Sequence, residues 1–317
     1  MLAYLVGRIL RIIPTLLLSV TVIFFMARVL PGDPAEALLG QMISQQAVDA
    51  LRYQLGLTEP LWSQYLSYMG KLLRGDLGNS LVLGGSISEL LGQVMPFTAV
   101  IVFGGIFIGV AIGIPLGILS AVHRNSWIDY LTRLISLCGV SMPGFVIGIV
   151  FILVFSVWLQ WLPMVGGGDL SDIGSMFSRA LMPCLAGGLA MTAYVTRLAR
   201  STMLEVINED YVRTARAKGL AEQMVIYKHA LRNAFIPILT LIGIYIVVVV
   251  GDSITIEIVF SRPGFGRLVQ GAIGQRDYTM LQSIFMLYVA FSAVVNLTLD
   301  LVYGVIDPRI RLARGGL

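Results

Sequence analysis

Charge is scarce in this chain. Asp, Glu, Lys and Arg make up 13% of its 317 residues, 57% are hydrophobic, and the mean hydropathy is +0.85. That composition lies outside the soluble class and indicates a polytopic membrane protein whose apolar surface faces lipid or other helices. Cysteine is nearly absent: Cys138 and Cys184 both lie in apolar runs, which argues against a disulfide framework and leaves the compartment open. His123 and His229 are the only histidines, and neither has a partner at ligand spacing, so no metal site is expected. No Gly-x-x-x-x-Gly-Lys-Ser/Thr run occurs, since Gly70-Lys71 is followed by leucine, and the chain has no loop of the usual kind for ATP phosphates. Gly-x-Ser-x-Gly and His-Glu-x-x-His are missing too, so no catalytic residues and no embedded hydrolase are expected. The net charge of +4 has no basic patch interleaved with stacking aromatics, which speaks against nucleic acid and for basic cytoplasmic loops.

What is present is long apolar runs. Six reach spanning length: Ile12 to Leu30, Phe97 to Ala121, Leu134 to Trp158, Leu181 to Thr202, Phe235 to Phe260 and Leu281 to Val305. Backbone groups in lipid must bond internally, so an all-α protein with six transmembrane helices is expected. The first run follows Arg8 and Arg11 as a signal sequence does, but its core is too long and no Ala-x-Ala site follows, so it reads as a retained anchor. Arg and Lys concentrate on one side when both termini are placed in the cytoplasm, and the lipid-embedded chain then has Arg213, Arg216 and Lys218 inside. The expected organisation is 1–30 for the N-terminal region and first helix and 31–96 for an extracytoplasmic subdomain. A five-helix core over 97–305 follows, with a cytoplasmic coupling segment at 204–233, and then a cytoplasmic tail, 306–317. Within the subdomain, Leu51, Leu55, Leu61, Tyr65, Leu66, Met69 and Leu72 predict two short helices separated at Thr58-Glu-Pro60.

The segment Glu209-Asp-Tyr-Val-Arg-Thr-Ala-Arg-Ala-Lys-Gly-Leu220 reads as a docking element. A short helix from Tyr211 to Lys218 places Thr214, Ala215 and Ala217 among Arg213, Arg216 and Lys218, and Gly219 offers the left-handed turn that ends it before Leu220. Small residues allow close approach to a groove on a soluble partner, and the cations favour an acidic rim.

From Arg200 to Pro237 the chain resembles the cytoplasmic motif of bacterial ATP-binding-cassette importer permeases, in the branch that handles peptides, glutathione and nickel. The likeness runs through Leu30-Pro-Gly-Asp-Pro34, Leu55-Gly-Leu57, Gly75-Asp-Leu-Gly78, Gly139-Val-Ser-Met-Pro143, Pro263-Gly-Phe-Gly-Arg267, Arg276-Asp-Tyr278 and Asp307-Pro-Arg-Ile-Arg311. In that family Thr214, Ala215 and Gly219 match the start of the "EAA" motif, whose helix sits in a cleft of the ATPase. His229-Ala-Leu-Arg232 replaces the broader Ile-x-Leu-Pro form and looks like the peptide branch. The resemblance implies a type I importer permease fold in the bacterial inner membrane. It also implies a second homologous permease, two ATPase subunits that carry ATP and magnesium, an extracytoplasmic binding protein, and no cofactor on this chain. Peptide is the expected cargo, with glutathione or a nickel or metal chelate as the alternative. A secondary transporter acting alone would need an ion-coupling site at the midplane, and the carboxylates here sit toward the ends.

Those carboxylates are the second candidate site. Asp252 and Glu257 fall near the outer end of the fifth run and, five positions apart, point about 140° away from each other. Relatives resembling this chain usually have glycine where Asp252 stands and keep Glu257. Asp252 is expected either to pair with Arg262 or Arg267 or to line an outer gate and attract a cationic group on the cargo. Pro263, Gly264, Phe265 and Gly266 are expected to form a tight re-entrant turn at that gate. Asp300 is expected to pair with Arg197 or Arg200 or to fix its helix end. Gly109, Gly113 and Gly117 share one face, which predicts close helix packing.

Overall fold

The computed structural model describes residues 2–29, 35, 44–80, 82–169 and 171–306. The Leu30-Pro-Gly-Asp-Pro34 and Asp307-Pro-Arg-Ile-Arg311 motifs, and residues 307–317 of the expected tail, lie outside the described residues. The fold is helical; among the described residues the only extended pairing is a bridge between Asn79 and Ser86. The chain divides into two compact units, one built from Val6–Pro96 and Gly264–Ala293, the other from Phe97–Pro263 and the stretch from Val294 onward.

The first unit holds most of α1 (Leu2–Val29), then α2 (Gln45–Gln54) and α3 (Leu61–Leu73). The predicted pair of short helices is present, and Gly56, at φ +68°, turns the chain between them. Phe24 on α1 is fully buried, with the Tyr65 and Tyr68 rings of α3 centred 5.3 and 5.6 Å away. Thr21 Oγ1 lies 2.8 Å from Tyr65 Oη, and Arg28 Nε donates to Gln64 Oε1 at 3.2 Å. The apolar end of α1 is thus fastened to an amphipathic helix by aromatic packing with polar bonds at its edges. The unit also includes α10 (Phe265–Gly274) and the first part of α11 (Tyr278–Ile306), which Ser283 Oγ ties to Leu77 O at 3.1 Å.

The second unit is organised around α7 (Ile173–Ile207), a 35-residue helix capped at its start by Asp172, whose side chain accepts from Gly174 N. Against it pack α5 (Trp127–Ser141), α6 (Gly144–Phe151), which continues as a π-helical stretch Ile152–Trp158, and α9 (Leu231–Val259). Ile101, Ile147, Met182, Ala186, Ile256 and Phe260 form its apolar centre. The glycine face of α4 (Ile87–Val122) also meets α7. A Cβ added at Gly109 would fall 2.6 Å from Met191 Cγ, at Gly113 2.8 Å from Val195 Cβ, and at Gly117 2.5 Å from Ala199 Cβ. Close packing is therefore what those glycines do, and Thr196 Oγ1 adds a bond to Gly113 O at 3.2 Å across the seam.

Among the described residues four helices are long and apolar enough to cross a membrane: Leu10–Val29, Ile87–Val122, Glu222–Val259 and Tyr278–Val302. The expected single helix over Leu134 to Trp158 is instead the pair α5 and α6, bent by 102°. Pro143 supplies no N–H and holds Met142 extended at φ −108°, ψ 123°, so the helix stops there and restarts at Gly144. Read as one span, the pair makes a fifth. The run from Leu181 to Thr202, expected as one of the six, lies in α7 and is too polar to qualify: its threonines, glycines, Arg197 and Arg200 lower its hydropathy, with Thr192 and Thr196 buried against protein and Arg197 exposed.

Candidate functional site

The docking segment folds as α8 (Asp210–Ala217), with Asp210 in its first turn and Arg216 in its last, the charge order that suits a helix dipole. Gly219 follows at φ +73° with its N–H bonded to Arg216 O at 2.9 Å, and a Cβ there would meet nothing within 4 Å. The glycine is needed for backbone conformation, not for space. Val212 and Ala215 are buried, at 0% and 6% exposure, on the side where α8 meets the π-helical stretch Val225–Ala230. Ala215 therefore holds the helix in place and does not face outward.

At about 100° per residue, Ala217 lies about 170° around the helix from the midpoint of Val212 and Ala215, and Thr214 and Arg213 flank it at about 130°. These three and Lys218 are exposed, Tyr211 sits at the edge of the same surface, and Leu220 is half-buried. Arg216 turns aside: its Nη2 reaches Glu222 Oε1 at 2.7 Å, closing the loop around Gly219. The Glu222 carboxylate raises the Arg216 guanidinium above its ordinary value, mainly through that hydrogen bond. Both side chains are well exposed, so the pair contributes at most about 1 kcal/mol.

A buried ion pair stands where α4, α5 and α7 meet. Asp129, at 0% exposure, accepts from Arg200 Nε at 2.6 Å and Nη2 at 2.9 Å, from Ser120 Oγ at 2.6 Å and from Asn125 N at 3.0 Å. Arg200, expected as a partner for Asp300, is committed to Asp129. Sequence reasoning passed over this acid; the Ser126-x-x-Asp129 spacing marks a helix start, which Ser126 does cap, but it carries no sign of a partner 71 positions away.

At the expected outer gate, Asp252 is exposed, and among the described residues it forms no ion pair with Arg262 or Arg267. Glu257, as the 140° separation requires, points the other way: it is fully buried and accepts from Thr98 Oγ1 at 2.6 Å. Arg262 is also fully buried, donating from Nη1 to Gly166 O at 3.3 Å. The tight glycine turn expected over Pro263 to Gly266 is not formed by those glycines. The chain turns at Ser261, φ +46°, Gly264 is extended at φ 170°, and Phe265 and Gly266 open α10.

Residues 113–312 match the family described as binding-protein-dependent transport system inner membrane component, and residues 1–85 match the N-terminal region of such membrane components. The chain belongs to this family. The permease is 38% identical over 312 residues to the glutathione transport system permease protein GsiC of Escherichia coli (strain K12), covering 98% of this chain and 99% of that one. It is 39% identical over 332 residues to the dipeptide transport system permease protein DppB of Alkalihalophilus pseudofirmus, covering 98% and 100%. Its fold is similar to a chain of the inward-facing MetNI methionine ABC transporter, with a TM-score of 0.56 and 19% identity over 69% of this chain and 97% of that one. The permease is thus an inner-membrane translocation subunit of an importer, a transport component that works with ATPase and substrate-binding partners.

Proposed function

We propose that this permease receives the motion of an ATPase through α8 and, beside a second homologous permease, forms the path for peptides handed over by an extracytoplasmic binding protein. The observation that carries the reading is the outward surface of Arg213, Thr214 and Ala217 on an eight-residue helix whose other side is anchored on the chain leading into α9. Small side chains there admit a groove, and Arg213 and Lys218 supply charge for an acidic rim. In this arrangement two ATPases bind ATP and magnesium, both termini are cytoplasmic, and α7 is the sixth span. Asp252 offers an exposed carboxylate to the path, the Pro263-to-Gly266 loop belongs to the outer gate, and Glu257 serves by fixing α9 to Thr98.

A cysteine at Ala217 should crosslink to the ATPase in the assembled complex in a nucleotide-dependent manner, whereas one at Val212 should not. Equal crosslinking at both positions, or none at Ala217, sinks the docking role. Glutathione is the second reading of the cargo, favoured by the naming of the Escherichia coli relative. Competition of unlabelled dipeptide and glutathione against labelled dipeptide uptake in proteoliposomes separates the two.

A further inference from the structure

Within the unit formed by Val6–Pro96 and Gly264–Ala293 lies a cleft of about 540 Å³. That size suits a small molecule. Gln282, 4% exposed, lines it with an Nε2 that has no hydrogen-bond partner, and Tyr68 lines it with a buried Oη in the same condition. Arg28 completes the set. Its Nε is occupied by Gln64 Oε1 and its Cζ lies 4.5 Å from the Phe24 ring centroid, yet among the described residues no carboxylate pairs with it. Buried polar groups are normally satisfied, so two unpartnered atoms and an unpaired guanidinium lining one cleft call for a common acceptor. An oxyanion meets that need.

We infer that this cleft binds the carboxylate of a small zwitterion. Arg28, Tyr68 Oη and Gln282 Nε2 donate to the carboxylate, and Glu59 and Asp76, which also line the cleft, each keep one oxygen that no group among the described residues hydrogen-bonds, for an ammonium group. Lys71 lines the cleft as a further cation beside Arg28. The inference rests on the importer reading only in choosing a dipeptide as probe, and it is measured without the ATPases, so its failure leaves the docking role of α8 untouched.

The test uses the full-length permease in neutral phosphatidylcholine nanodiscs, titrated calorimetrically with alanyl-alanine, with its C-terminal amide, and with a short-chain phosphatidylglycerol. Alanyl-alanine should bind saturably and its amide at least about tenfold more weakly. Tyr68→Phe and Gln282→Leu should each weaken the dipeptide by about tenfold while leaving the unfolding temperature unchanged or raised, since each removes an unpaired buried atom. Arg28→Gln should abolish binding. Equal affinity for acid and amide overturns the inference, as does binding of phosphatidylglycerol alone, which makes the cleft a lipid site. Absence of binding by any probe leaves a water-filled cleft and overturns it equally.

Discussion

Asp129 is surrounded by donors and has no access to water, so its neighbours depend on it as much as it depends on them. Asp129→Asn removes the negative charge opposite a largely buried Arg200 and should lower stability by about 3 kcal/mol, read as a fall in unfolding temperature in detergent. Asp129→Asn with Arg200→Met should recover part of that loss, because the remaining cation, Arg133 at 3.3 Å, is half-exposed and can turn to water; strictly additive losses would show that Asp129 and Arg200 do not depend on each other. Gly219 is the contrasting case. Gly219→Ala meets no atom, so its cost is the left-handed backbone alone, about 1 kcal/mol, and insertion should survive it. A bulky residue there should keep insertion but uncouple ATP hydrolysis from uptake in proteoliposomes; unchanged transport would show that coupling does not pass this turn. Gly219 was legible in the sequence because helix ends are local chemistry. The Asp129–Arg200 pair was not, because nothing in a linear chain marks which of many arginines a distant acid will meet.

Helices were legible in proportion to how much lipid they face. Runs such as Ile87–Val122 and Glu222–Val259 announce themselves through length and hydropathy, and the two amphipathic helices α2 and α3 through their spacing. The break at Pro143 was readable only as a proline near a run, since whether a proline kinks or ends a helix depends on what packs around it. The seam between α4 and α7 was foreseen from three glycines, but its partners were not. That seam tolerates no added volume: Gly117→Leu would drive a side chain into Ala199 and the Thr196 carbonyl, and should abolish folded protein by size-exclusion chromatography. Gly271→Leu on α10, where a Cβ meets nothing within 4 Å, is the control and should elute as the parent does. If Gly117→Leu also elutes normally, the two helices do not touch as described.

Over the whole molecule, the sidedness proposed from the arginines and lysines, with both termini and α8 cytoplasmic, is open to a direct test. In a Cys138→Ser, Cys184→Ala background, a cysteine at Trp62 should react with a membrane-impermeant maleimide in intact cells. One at Ala217 should react only after permeabilisation. The reverse pattern would invert the topology and remove α8 from any ATPase.

The membrane itself treats α7 differently from its neighbours. Most residues from Ala180 to Met203 are buried against protein, and Thr192, Thr196 and Arg200 make this stretch a poor solute for hydrocarbon. In the six-span arrangement it is dissolved by its own chain rather than by lipid. If α7 is a span, an order of insertion is the expected consequence: α4 should enter lipid unaided, whereas α7 should enter only together with the helices that bury its polar face.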